Sequence, residues 1–140
     1  MTVQGAIEAE YVPHDDEPFM CERQKTFFRR RLMTLKQEIL DESRETLEAM
    51  QSSAVNIPDL VDRAAAEADR ALELRTRDRQ RKLIAKIDSA LRRIDDGEYG
   101  YCEETGEPIS LRRLIARPTA TLSLEAQERH ERREKVHRDD

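Results

Sequence analysis

"PDLVDRAAAEADRALELRTRDRQRKLIAKIDSALRRIDDGEYGYC", residues 58–102, carries an apolar period that only a long helix can use. Its apolar positions run through Val61, Ala64, Ala68, Ala71 with Leu72, Leu83, Ile87, Ala90 with Leu91, and Ile94. The repeat turns polar at Arg75 and Arg79. Pro58 suits a first helical turn, with Asn56 as the cap, and Gly97 suits the C-terminal cap. Upstream, from about Glu17, a second seam passes through Phe28, Leu32, Leu35, Ile39, Thr46 with Leu47, Met50 and Ala54, with a polar step at Glu42 and Ser43. Two consecutive helices of roughly 35–40 residues with facing seams predict an antiparallel coiled-coil hairpin with arms about 50–60 Å long. A third, highly charged helix is expected from near Leu122.

The composition agrees with narrow seams and no large core. Of 140 residues 39% are charged, 4% are aromatic and none is Trp. The net charge of -5 gives no bulk attraction to nucleic acid. Charge is unevenly placed. Residues 1–22 hold Glu8, Glu10, Asp15, Asp16, Glu17 and Glu22 with no Lys or Arg, so 1–16 is expected to be an acidic N-terminal arm, docked through Ile7, Tyr11 and Val12. Residues 75–93 hold eight basic side chains against two acidic ones, a net of +6. No run of about 18 apolar residues and no signal-peptide pattern is present, which predicts a cytoplasmic protein with no membrane association. Cys21 and Cys102 are too far apart in sequence to suggest a disulfide framework.

Residues 99–140 follow the predicted hairpin, which spans 17–98 with its tip at about 52–64. The stretch "GYCEETGEPISLRRLIARPTATLSLEAQE" (100–128) has the turn-rich outline of a zinc finger without its ligands. A structural zinc site takes about four Cys or His ligands. Cys102 opens a C-x2-C spacing whose second position is Thr105, and the second pair falls at Ser123 and Ala126. His130 and His137 are too far apart to chelate as an i,i+4 pair. No metal is expected. Small residues should fill the ligand volume, with the Thr105 and Ser123 hydroxyls bonding loop backbone.

Asp59 and Asp62 share one face of the predicted second helix's first turn. Acidic residues there satisfy free N–H groups and the helix dipole. Two carboxylates at the end of a slim rod, kept narrow by Ala64, also suit a probe of a deep metal- or base-lined channel. For the basic stretch, a solvated helix face competes with binding to an acidic surface or a polyphosphate. Arg112, Arg113 and Arg117 add a second basic cluster from another element, which suits a polyphosphate. No Gly-rich phosphate loop follows a strand and no nucleophile has a base beside it, so no enzyme is expected.

Residues 58–102 with "ISLRRLIARPTATL" (109–122) resemble the DksA/TraR family of bacterial transcription regulators, over roughly Asn56 to Arg133. The resemblance implies an all-α fold: a long antiparallel coiled-coil hairpin on a small base of N-terminal segment, finger-like loop and C-terminal helix. It implies a non-catalytic, monomeric regulator that enters the secondary channel of RNA polymerase and binds no specific DNA sequence. The family's acidic tip motif falls on Asp59, Asp62 and Ala64, and its polymerase-tuning position on Arg79. With guanosine tetraphosphate as effector, such regulators alter promoter-complex stability in the stringent response, repressing ribosomal RNA promoters and activating amino-acid biosynthesis promoters. Effector contacts map to Leu83, Lys86 and Arg117, while the family's further contact lysine is Gln127 here. The four finger positions, Cys102, Thr105, Ser123 and Ala126, mark a zinc-independent paralogue with a degenerate finger. The alternative is a coiled-coil adaptor or a transcript-cleavage-type factor using the same channel.

Overall fold

The computed structural model of the protein describes residues 11–53 and 60–139. Four helices form among them: α1 (Glu22–Ser53), α2 (Leu60–Asp96), α3 (Leu111–Ala116) and α4 (Leu124–Asp139). The described residues hold no strand, only an isolated antiparallel bridge between Tyr101 and Pro108. The fold is therefore all-α. No described helix is long and apolar enough to cross a membrane. Asn56, Pro58, Asp59 and Ile7, which was expected to dock the arm, lie outside the described residues.

The chain divides into two compact units, one of residues 1–32 with 89–140 and the other of 33–88. In the first, the expected helix start near Glu17 is corrected to Glu22. Pro18 and a left-handed Met20 (φ 55°) shape the preceding segment as a turn, and the Cys21 N–H donates to the Pro18 carbonyl. Fully buried Gln24 clamps this turn: its side-chain oxygen accepts from the Met20 N–H at 2.8 Å and its amide donates to the His14 carbonyl at 3.2 Å. Tyr11 is buried, with its ring edge-on to Phe27 and Arg23 stacked over its face at 3.9 Å. Phe28, Leu32, Ala90, Ile94, Tyr99, Ile109 and Leu114 are buried in the same core, with Met20, Cys102, Leu111 and Ala126.

The end of α2 is set by Gly97. Its φ of 78° is open to glycine at no steric cost, and it lets the Glu98 N–H reach the Arg93 carbonyl (2.9 Å) while its own N–H reaches Ile94 (3.2 Å). Those two bonds close the orphan carbonyls of the last turn and reverse the chain into Tyr99. Within the same unit Arg29 pairs with Asp95 at 2.9 Å, which fixes α1 and α2 as antiparallel there.

In the 33–88 unit, Lys36 pairs with Asp88 at 2.8 Å, one heptad along both helices from the first pair. Ile39 and Ile87 are buried, and Leu35, Leu47 and Ile84 are half-buried. The predicted seam of α2 is corrected here. Val61, Leu72 and Leu83 are 78%, 56% and 41% exposed, and Ala64 and Ala68 are exposed as well. The inward face runs instead through Glu73, Arg77, Gln80, Ile84 and Ile87, a strict 4-3 repeat whose upper half is polar. Counting apolar residues found the buried line at Ile87, Ala90 and Ile94, but nearer the start of α2 it followed an exposed stripe.

Gly97→Ala places a Cβ in the left-handed region with nothing else within 4 Å of it, so only backbone strain is added. The variant should lose about 1 kcal/mol, seen as a lower urea midpoint at unchanged slope. An unchanged midpoint would show that the cap does not hold this helix end.

Candidate functional site

Three groups of residues carry the functional expectations. At the start of α2, Asp62 and Ala64 are exposed, while Asp59 lies outside the described residues. Further along α2, Arg79, Leu83 and Lys86 are exposed, and Arg79 donates to the Thr76 hydroxyl at 3.3 Å. These all belong to the 33–88 unit. Arg117 and Gln127 belong to the other unit. Arg117 is the exposed C-cap of α3, and its N–H donates to the Arg113 carbonyl at 2.7 Å. The half-buried Gln127 uses its side-chain amide on Glu131 at 3.1 Å.

Two anchors beside Arg117 escaped the sequence reading. The Tyr99 hydroxyl donates to the Pro118 carbonyl at 2.7 Å, and Arg113 Nε donates to the Leu122 carbonyl at 2.9 Å. Both hold the 117–122 segment by its backbone, where a sequence gives no signal beyond the presence of a Tyr and an Arg. The Tyr99 ring is only 2% exposed, and burial pushes its hydroxyl pKa well above the ordinary range, so it stays a donor.

The four finger positions are drawn into one cluster. Cys102 is 2% exposed. Its N–H donates to the Glu107 carbonyl and its carbonyl accepts from the Gly106 N–H, both at 2.8 Å, which closes the loop. The Glu103 N–H reaches the Thr121 carbonyl at 2.9 Å and ties that loop to the segment before α4. Thr105 Oγ1 accepts from the Glu107 N–H at 3.3 Å, and Ser123 Oγ caps α4 by accepting from the Ala126 N–H at 3.2 Å. Ala126 is fully buried. One thiol, two hydroxyls and a methyl group do not make a zinc donor set. Among the described residues no group of three or more His, Cys, Asp or Glu side chains converges as metal ligands would.

The hydrogen bonds around the thiol favour its anion. Burial pushes Cys102 up, but the Thr105 hydroxyl and the backbone N–H groups of Ser123, Thr105 and Glu104 outweigh it and bring the pKa from 9.0 down to about 6. The sign for stability follows. Below the folded value the thiol is protonated in both states and contributes nothing; between the two values the unfolded chain binds more protons, so stability climbs with pH. The Tm advantage of the native protein over Cys102→Ser should therefore widen from pH 6 to pH 9. Parallel pH profiles would show that the hydrogen bonds do not stabilise a thiolate.

Comparison with known proteins agrees with this geometry. Residues 24–94 match the family model described as DnaK suppressor protein DksA, N-terminal domain, and residues 97–132 match the prokaryotic dksA/traR C4-type zinc finger. The chain is 67% identical over 133 residues to the RNA polymerase-binding transcription factor DksA of Caulobacter vibrioides, covering 95% of this chain and 94% of that protein. It is 46% identical over 126 residues to the protein of that name from Escherichia coli K12, covering 88% and 83%. The solved structure of transcription factor DksA2 from Pseudomonas aeruginosa superposes with a TM-score of 0.79 at 41% identity, over 94% of this chain and 98% of the other. A helical family model over half the chain, a finger model over four positions of which only Cys102 is still a cysteine, and relatives that align nearly end to end share one conclusion: this chain belongs to the DksA/TraR family.

Proposed function

We propose that this protein is a non-catalytic regulator of transcription that binds RNA polymerase. It enters the secondary channel with Asp59, Asp62 and Ala64 directed towards the catalytic centre, and it alters the stability of promoter complexes. The observation that carries this reading is the 67% identity, over 95% of the chain, to a protein named for RNA polymerase binding. The exposure of Asp62 and Ala64 in the first turns of α2 supports the tip's role, because a carboxylate used on a partner must be open to it. Repression of ribosomal RNA promoters and activation of amino-acid biosynthesis promoters, with Arg79 tuning the effect, complete the proposal.

Guanosine tetraphosphate is the proposed effector, contacted by Leu83, Lys86 and Arg117. Gln127, an amide where the family carries lysine, contributes no charge. A charge-assisted phosphate contact is worth about 1.5–3 kcal/mol, or roughly tenfold in affinity and upward. Gln127→Lys should lower the half-effective guanosine tetraphosphate concentration about tenfold. An unchanged dose curve would remove Gln127 from the site.

The protein is further proposed to act without zinc, supported by a finger cluster with one sulfur ligand. In vitro transcription from a ribosomal RNA promoter, in a zinc chelator, should show repression by the native protein and none by Asp62→Asn. Metal analysis of the purified protein should find no stoichiometric zinc. Failure of the native protein to repress, with or without chelator, would overturn the polymerase reading; repression lost only in chelator would overturn the zinc-independent part alone.

A further inference from the structure

Arg117 combines a fixed backbone with an exposed side chain. Its N–H donates to the Arg113 carbonyl at 2.7 Å, and its carbonyl accepts from the Ala120 N–H at 3.0 Å. The next residue, Pro118, is buried and locks its own φ, and Arg117 takes the extended φ (-134°) that a following proline favours. The Pro118 carbonyl in turn accepts from the Tyr99 hydroxyl at 2.7 Å. Among the described residues no carboxylate pairs with the Arg117 guanidinium, although in the same unit Arg93 pairs with Glu103, and Arg129 and Arg133 pair with Glu104. A cation without a counter-ion on a fixed stem suits an anion that arrives from outside. Ordering the stem beforehand reduces the entropy lost when the anion binds.

A phenylalanine at position 99 would keep most of what Tyr99 does for the fold. The ring would still pack 5.4 Å from Phe28, and the backbone N–H would still reach the Arg93 carbonyl at 3.1 Å. What the hydroxyl alone adds is the grip on Pro118. We infer that Tyr99 is a positioning residue for the effector: its hydroxyl holds the Arg117–Pro118 backbone so that the Arg117 guanidinium meets the phosphate groups of guanosine tetraphosphate already oriented. The inference rests on the effector reading above and adds to that site a residue too deeply buried to touch the phosphates itself. Orientation matters here because a guanidinium binds phosphate through a planar fork, and a fork that wanders loses its second hydrogen bond. Arg113 holds the far end of the same segment through the Leu122 carbonyl, but it is half-exposed and cationic and could meet a phosphate directly. Only Tyr99 separates positioning from contact.

Tyr99→Phe removes one oxygen and keeps the ring. Tyr101→Phe removes the same atom from a ring at the surface and is the control. Each protein is titrated with guanosine tetraphosphate while it represses a ribosomal RNA promoter in vitro, and its effector-free affinity for RNA polymerase is measured alongside. Tyr99→Phe should raise the half-effective concentration roughly three- to tenfold, with native effector-free affinity and native repression at saturating effector. Tyr101→Phe should match the native protein throughout, and Arg117→Ala should raise the half-effective concentration at least as far as Tyr99→Phe does. A mere fold defect cannot produce that split, because a smaller folded fraction weakens effector-free binding as well. An unchanged dose curve for Tyr99→Phe, an equal rise for Tyr101→Phe, or a matching loss of effector-free affinity would overturn the positioning role and leave the effector reading standing. A smaller rise for Arg117→Ala would show that Tyr99 acts through another contact, and would overturn it too. A native protein that binds the polymerase without responding to guanosine tetraphosphate would overturn the effector reading and this inference with it.

Discussion

The unit of residues 1–32 and 89–140 depends on the packing of one side chain, Tyr99. Its ring lies 5.4 Å from Phe28 of α1, and its hydroxyl holds the Pro118 carbonyl. A single residue thus joins a long helix, the turn that ends α2 and the segment that leads to α4. It reaches that place because Gly97 reverses the chain two residues earlier, and Gly100 lets it turn again one residue later. A Cβ on Gly100, already at a φ of 92°, would come within 3.1 Å of both Phe19 and Met20. The segment before α1 and the finger loop therefore meet at a glycine, with Phe19 and Tyr101 edge-to-face beside it. Aromatic contacts of this kind are worth about 0.5–1.5 kcal/mol each beyond the area they bury. All six Phe and Tyr side chains of the protein fall in this unit, which is how it acquires a core.

That concentration supports the proposal of a finger that needs no zinc. A structural zinc ion contributes about 10–16 kcal/mol to small domains that depend on it, whereas a net hydrogen bond contributes about 1 kcal/mol. The bonds around Cys102, Thr105 and Ser123 are too few to replace a metal outright. They do not have to. Buried Ile109, Leu111 and Leu114 anchor the loop from one side, and Arg113 and Tyr99 hold the backbone that follows it. Ala126 fills the fourth ligand position with a methyl group, which needs no partner, so no buried polar atom is orphaned there. The loop keeps its outline because its neighbours are fixed, and Cys102 is hydrogen-bonded within it.

The all-α architecture was legible in the sequence because the two long helices advertise themselves through period, and Gly97 marks an end. The hydroxyls of Thr105 and Ser123 were legible as loop-bonding groups because small polar residues at former ligand positions have few other uses. Short α3 was not, since six residues are too few for a periodic signal. The start of α1 was placed early because a left-handed Met20, held by a glutamine four residues on, leaves no compositional mark. Ile87, Ala90 and Ile94 were read correctly as buried, and the face of α2 was misread only before Ile84, for a more general reason. Hydropathy identifies apolar lines, and this helix has two; the line that faces α1 is polar over Glu73, Arg77 and Gln80. Roles at the tip and at the effector contacts came from family resemblance, since exposed charges on a helix look alike whatever they bind.

An inward line that is polar and an outward line that is apolar need a cause, because the opposite arrangement would stabilise the isolated chain. The Gln80 side-chain oxygen is buried without a hydrogen-bond partner among the described residues, a cost of about 1–3 kcal/mol. Turning α2 by a third of a turn would relieve Gln80 and bury Leu72. It would also expose Ile84 and Ile87 and pull Asp88 away from Lys36, all within the same unit and on the same rigid helix. A helix cannot present different faces at its two ends without breaking its own hydrogen bonds, so the lower turns dictate the rotation of the upper ones. The polar line is then tolerated because half-exposed Arg77 and Glu73 extend their heads into water. Val61 and Leu72 stay outside for the same reason: the turns packed through Ile84 and Ile87 set the rotation of the whole helix.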